Sequence, residues 1–159
     1  MNNVKNKYPI ILSFNFLLLC IGCSSLSGPL FKPILDIPTG KCIIYLYRLD
    51  DEHSSEFTVA CNDSDICILE KWSYFPIINN AGKVKLSASV NFKLFTTGFL
   101  DKAIAGTTEL IFKTEPGQSY YIECQALEWG GNKLTIKLVP KNFGMIRVKE
   151  CRLLDPISY

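Results

Sequence analysis

Val84-Lys85-Leu86-Ser87-Ala88-Ser89-Val90-Asn91-Phe92-Lys93-Leu94 alternates apolar and polar residues without a break. A period of two puts Val84, Leu86, Ala88, Val90, Phe92 and Leu94 on one face of an extended chain and the polar residues on the other. The run therefore predicts a long, half-buried strand. Lys133 to Leu138 alternates in the same way. Cys42-Ile43-Ile44-Tyr45-Leu46-Tyr47 is apolar throughout, which predicts a central strand covered on both faces.

Turn chemistry divides the rest of the chain. Glu56 to Cys61 and Ile66 to Leu69 flank Asn62-Asp63-Ser64-Asp65, the composition of a hairpin turn. Thr108 to Lys113 and Ser119 to Gln125 flank Glu115-Pro116-Gly117-Gln118, where Pro-Gly suits a type II turn with positive φ at Gly117. Trp129 to Asn132 reads as a further turn and Ile146 to Leu153 as a last strand. Gly98 to Gly106 is the one helical candidate, too short to stand alone. The pattern predicts an all-β chain, a single β-sandwich of seven or eight mostly antiparallel strands.

Composition agrees. At 159 residues and 17.9 kDa the chain has room for one domain with a core of useful size. Apolar residues at 48% and charged ones at 20% exclude a disordered chain, and a net charge of +2 excludes a polybasic nucleic-acid binder. The amino end reads as a targeting segment. Lys5 and Lys7 precede a mostly apolar stretch from Tyr8 to Ile21, the form of a secretory signal peptide and short for a membrane span. An uncleaved anchor is the alternative.

Leu17-Leu18-Leu19-Cys20-Ile21-Gly22-Cys23-Ser24 resembles the lipobox of bacterial lipoproteins. The resemblance implies cleavage after Gly22 and acylation of Cys23, which becomes the new amino terminus. Cys20 stands where leucine is usual. Ser24, in place of a retaining aspartate, implies sorting to the outer membrane with the protein facing the periplasm. Acyl chains on Cys23 form a stable anchor, because more than one chain is attached. The expected organisation is a signal peptide over 1–22, a Pro- and Gly-rich tether over 23–38, a sandwich over 39–154 and a tail over 155–159. Residues 1–22 hold two of the 17 basic residues and none of the 15 acids, so the mature chain is neutral in its side chains.

Ile44-Tyr45-Leu46-Tyr47-Arg48 follows Gly40-Lys41; Phe57-Thr58-Val59 comes next, then Ser73-Tyr74-Phe75 ahead of Gly82-Lys83, then Pro116-Gly117-Gln118-Ser119-Tyr120-Tyr121-Ile122. This order, over Pro38 to Leu154, resembles a family of small bacterial lipoproteins carrying a domain of unknown function. The resemblance implies a PEGA-like or transthyretin-like β-sandwich and supplies no catalytic residues. Asp50-Asp51-Glu52, where the family often has proline, and the number of cysteines depart from it.

The residues offer little chemistry. His53 is the single histidine, set among acids in a loop, so any Ser-His-Asp or Cys-His arrangement has to use it. Metal-ligand spacing is lacking beyond the targeting segment: no C-x-x-C follows Cys23, and Asn62 to Asp65 opens like a calcium loop without its central glycine or closing glutamate. No metal or cofactor is expected. Asn62-Asp63-Ser64 is formally a glycosylation sequon, meaningful only in a eukaryotic secretory chain. Arg147, Lys149 and Arg152 are expected along one side of the last strand, where they would face solvent or anionic lipid.

Of seven cysteines, Cys20 leaves with the signal and Cys23 takes the lipid, leaving Cys42, Cys61, Cys67, Cys124 and Cys151. Cys61 and Cys67 bracket the hairpin turn and are the best candidate disulfide. Cys124 shares parity with Tyr120 and Ile122 and is expected in the core. Phe95, Phe99, Leu100 and Ile104 form an apolar cluster in the loop after the long strand, either a cap on the core or a contact for an envelope partner. The expected function is a lipid-anchored envelope protein with a β-sandwich binding domain, not an enzyme and not a nucleic-acid binder. The alternatives are a carrier of a small apolar ligand between the sheets and an envelope hydrolase using His53.

Overall fold

β1 (Lys41–Arg48) runs through the middle of a five-stranded sheet in the computed structural model, which describes residues 28–49, 56–91, 107–126 and 134–154. Six further strands follow in order: β2 (Glu56–Cys61), β3 (Ser64–Leu69), β4 (Ser73–Asn80), β5 (Gly82–Asn91), β6 (Thr107–Thr114) and β7 (Ser119–Ala126). After β8 (Leu134–Val139) come a short helix α1 (Lys141–Arg147), a 3-10 turn (Val148–Glu150) and a two-residue strand β9 (Arg152–Leu153). The strands form two packed sheets, ordered β8-β7-β1-β4-β9 (sheet A) and β3-β2-β5-β6 (sheet B). The chain is a β-sandwich, as its alternation predicts.

β5 is the alternating run: Val84, Leu86, Ala88 and Val90 are buried against sheet A, while the polar residues between them line the far face. β2 and β3 form the expected hairpin with a tighter turn than composition suggested. Only Asn62 and Asp63 lie in the loop, both with positive φ (50° and 66°), the geometry of a two-residue turn matched to strand twist. Gly117 has φ 71°, and Gln118 N–H donates to Glu115 O, as a type II turn requires. That turn does not close a hairpin. It carries the chain from β6 in sheet B to β7 in sheet A, where β7 lies parallel to β1 (Ile43 opposite Ser119 through Tyr47 opposite Glu123). Five strand pairings are antiparallel and two, β1–β7 and β4–β9, are parallel.

Two elements correct the sequence reading. β4 was not anticipated because Pro76 interrupts it. The strand accommodates a residue without an N–H because, among the described residues, its side away from β1 is paired only at Ser73 and Tyr74, with β9. Ile146 to Leu153 is not a strand. Its first residues end α1, the next three form the 3-10 turn, and only Arg152 and Leu153 pair as a strand. The helix starts directly after Pro140, whose backbone (φ −52°, ψ 136°) is extended at the cap. Seven residues including Asn142 and Gly144 have little intrinsic helicity, so α1 depends on what it packs against.

Sheet A is covered on both sides, which explains the unbroken apolar run of β1. Its inner face (Cys42, Ile44, Leu46, Ile122, Cys124) meets sheet B through Phe57, Val59, Leu69, Val84, Leu86 and their neighbours. Its outer face (Ile43, Tyr45, Tyr47, Tyr121) packs under Phe31, Val148 and Cys151. The segment expected to be a free tether therefore belongs to the domain from Gly28 on. It lacks helix or strand beyond a bridge between Leu30 and Arg152, yet Phe31 is buried and Ile34 and Ile37 pack on the same cluster.

Candidate functional site

The outer face of sheet A and the layer over it hold the described residues with the most unusual chemistry. Tyr45 and Tyr121 stack at 5.2 Å, and Phe31 meets Tyr45 and Tyr74 edge-on at 5.0 and 5.2 Å. Edge-on and offset pairs of this kind add to the burial itself. Each phenol has a polar end that must be satisfied. The Tyr45 hydroxyl accepts from Ile34 N–H at 2.7 Å, tying the overlying segment to the sheet. Burial raises the pKa of Tyr45, Tyr74 and Tyr121 above the ordinary phenol value.

Beside them lies Glu123, fully buried. Tyr47 donates its hydroxyl to Glu123 Oε2 at 3.1 Å, and Arg147 Nη2 of α1 stands 3.0 Å from Oε1 as an ion pair without hydrogen-bond alignment. Lys137 of β8 stands further off, at 3.7 Å. Burial drives the Tyr47 phenol strongly upward, and the adjacent carboxylate adds to the shift. A tyrosine so shifted keeps its proton and donates it, so this cluster fastens α1 to the sheet rather than moving protons. The fit is close: a Cβ on Gly144 would fall 2.2 Å from Tyr121 Cβ, so only glycine lets α1 approach β7 this nearly.

The inter-sheet face is different in kind. Arg48 is buried there, its guanidinium 3.8 Å above the Phe57 ring, and Nη1 reaches Leu69 O at 3.5 Å. Cys42, Cys61, Cys67, Cys124 and Cys151 are all buried and all free. Cys61 and Cys67, the candidate disulfide, are both free: Cys67 stands opposite Val59, and Cys61 opposite Ser64. Burial pushes the Cys67 and Cys151 thiols up to about 12 and raises Cys61 and Cys124 as well. The thiolate is the nucleophile and metal ligand, so these four are held in the inert form.

Other sequence candidates fall as follows. The acidic turn is committed elsewhere: Asn62 Oδ1 accepts from Lys85 N–H, and Asp63 pairs with Lys85 Nζ at 2.9 Å. Lys85 is raised by Asp63 and Glu109 together. Arg147, Lys149 and Arg152 do not share one strand face; they lie on α1, the 3-10 turn and β9. The lipidation residues Cys23 and Ser24, the signal segment 1–22, His53, the Phe95–Ile104 loop, the helical candidate 98–106, the turn 129–132 and the tail 155–159 lie outside the described residues. Among the described residues no group of three or more His, Cys, Asp or Glu is placed to hold a metal ion, and no helix is long and apolar enough to cross a membrane. A solvent-open groove of about 560 Å³ lies where Glu115, Tyr120, Leu138, Pro140 and Lys141 meet.

Glu123 was missed from the sequence. The signal was present in Ser119 to Gln125, since a strand apolar at both parities is covered on both faces and any charge within it is buried. Fold and site together define a β-sandwich with one sheet roofed by chain from both ends of the domain and held by an ion pair between buried Glu123 and partly exposed Arg147. In comparisons with known proteins, no protein-family model, curated protein or solved structure matches the chain.

Proposed function

We propose that the chain is a lipid-anchored bacterial envelope protein that acts by binding, held to the membrane through acylated Cys23 and facing the periplasm. The observation that carries this reading is the order basic start, apolar stretch, Leu19-Cys20-Ile21-Gly22-Cys23-Ser24 at the amino end. Its likeness to the lipobox is joined by the likeness of Pro38 to Leu154 to small bacterial lipoproteins with a domain of unknown function. Ser24 favours the outer membrane as the destination. A non-enzymatic role fits the described residues, since burial raises the Cys67 and Cys151 thiols and the buried Glu123 carboxylate is committed to an arginine and a tyrosine hydroxyl. The Phe95–Ile104 loop is the candidate contact for an envelope protein.

The test is metabolic labelling of a diderm host with a clickable fatty acid. The wild-type chain takes up label and fractionates with membrane, and Cys23→Ala loses both label and processing. Persistent labelling of Cys23→Ala contradicts the reading.

A further inference from the structure

We propose that the layer over sheet A, residues 28–37 and 141–153, rests on the anionic bilayer surface to which Cys23 ties the chain. This rests on the lipid-anchor reading and names the surface that the anchored domain turns toward the membrane.

The first argument is reach. Gly28, where the described chain begins, sits on this layer: Arg152 Nη1 donates to Gly28 O at 3.1 Å, and Leu153 N–H donates to Pro29 O at 2.9 Å. Five residue steps separate Cys23 from Gly28, and a fully extended chain covers at most about 3.6 Å per step, or roughly 18 Å. An acylated Cys23 therefore keeps Gly28, and the layer it belongs to, close to the headgroups.

The second argument is what the layer exposes. Ile34 and Ile37 point inward onto the aromatic cluster, while Leu35 between them is 84% exposed. On α1, Gly144 faces Tyr121, and at 100° per residue Asn142 and Ile146 fall on the opposite side. Ile146 is 62% and Phe143 67% exposed. These residues sit on segments that roof one sheet face, so side chains directed away from that sheet meet the same half-space. Apolar residues that dip into the headgroup boundary, ringed by basic ones, are how interfacial elements hold a membrane surface.

The third argument is charge. Residues 28–37 and 141–153 carry Lys32, Lys141, Arg147, Lys149 and Arg152 against Asp36 and Glu150, and with Arg147 paired to Glu123 a net of +2 remains. Lys32, Lys141, Lys149 and Arg152 are exposed. The layer is thus net positive at its point of attachment. That charge matches anionic lipid, and it disfavours a second copy docked face to face, which would oppose like charges.

The test uses the full acylated chain reconstituted into vesicles of phosphatidylethanolamine and phosphatidylglycerol that contain a photoactivatable phospholipid. Mass spectrometry of crosslinked peptides maps the contact, and the amino-terminal peptide reports acylation in the same sample. Adducts are expected on the peptides holding Leu35, Phe143 and Ile146, and not on the β6 peptide holding Ile111, an equally apolar exposed residue of sheet B. Replacing Lys32, Lys141 and Lys149 together by glutamate is expected to lower those adducts by about tenfold or more. Acylated Cys23 with adducts spread evenly, or with crosslinks between copies at this layer, overturns the docking while leaving the anchor. An amino-terminal peptide without acyl chains overturns the anchor, and the docking with it.

Discussion

The two faces of sheet A solve the same problem of burial with different chemistry. The inner face is mainly aliphatic and thiol-rich, with Cys42, Ile44, Leu46, Ile122 and Cys124 closed by a second sheet that contributes its own regular alternation, and the buried Arg48 guanidinium lies over the Phe57 ring of that sheet. The outer face is aromatic and partly charged, and irregular chain covers it: an extended segment at one end, a two-turn helix and a two-residue strand at the other. Side chains without polar ends suit a cover of regular strands. Tyrosine hydroxyls and a carboxylate need partners, and segments with unpaired backbone groups and a helix-borne arginine supply them. The inner face thus joins the two sheets, and the outer face holds a layer of mostly irregular chain onto one of them.

Truncation at matched depth breaks that comparison if it is wrong. Leu46→Ala leaves a cavity between the sheets and should cost about 2 to 5 kcal/mol of global stability, seen as a lower urea midpoint with unchanged slope. Phe31→Ala removes an equally buried side chain from the outer face. It should chiefly release residues 28–37, seen as faster amide exchange at Ile34 with a smaller shift of the midpoint. Equal shifts from both would show the two cores to be one cooperative unit.

Gly144→Ala sharpens the same contrast. A methyl group 2.2 Å from Tyr121 Cβ forces α1 off the sheet, and overpacking of this kind costs about 1 to 3 kcal/mol. Tyr121 and Tyr45 fluorescence and exchange at Val148 should change, while exchange in β2 and β5 should not.

The smallest effect is alkaline. Burial raises the Cys67 thiol from 9.0 to about 12 in the folded state. Above pH 9 the unfolded chain loses this proton while the folded chain keeps it, so the stabilisation present below pH 9 is lost as pH rises toward 12. Between pH 9 and 10, before the tyrosines begin to contribute, Cys67 should account for about 1 kcal/mol. Urea midpoints at the two pH values, compared between wild type and Cys67→Ala, measure it. Cys151 on the outer face, also pushed up to about 12, should contribute less to global unfolding if its layer opens first.

What could be read from the sequence followed from strict alternation and turn residues. β5, the β2–β3 hairpin, the doubly covered β1, the Gly117 turn and the burial of Cys124 were all legible, because each depends on neighbours a few residues away or on parity alone. The pairing partners were not. That β7 lies parallel to β1, rather than in a hairpin with β6, is decided by which sheet the chain enters after Gln118, and no local signal carries that. β4 hid behind Pro76, tolerated because among the described residues nothing pairs with that side of the strand beyond Tyr74. α1 hid because its residues are poor helix formers and its stability comes from Tyr121 and Glu123, distant in sequence. The outer layer went unread for a similar reason. Prolines 29, 33 and 38 do exclude regular structure, but an irregular segment can still be packed, as Phe31 shows. Of the candidate site, the burial of Glu123 could be inferred from the apolar parity of its strand, whereas its partners Tyr47 and Arg147 emerge only in three dimensions.

Intact-mass and amino-terminal peptide analysis of the protein recovered from a membrane fraction tests the central claim most directly. The account predicts a chain that begins at Cys23 and carries a diacylglyceryl group on its sulfur with an acyl chain on its amine. A chain that begins elsewhere, or a Cys23 that bears only its free thiol, would contradict it.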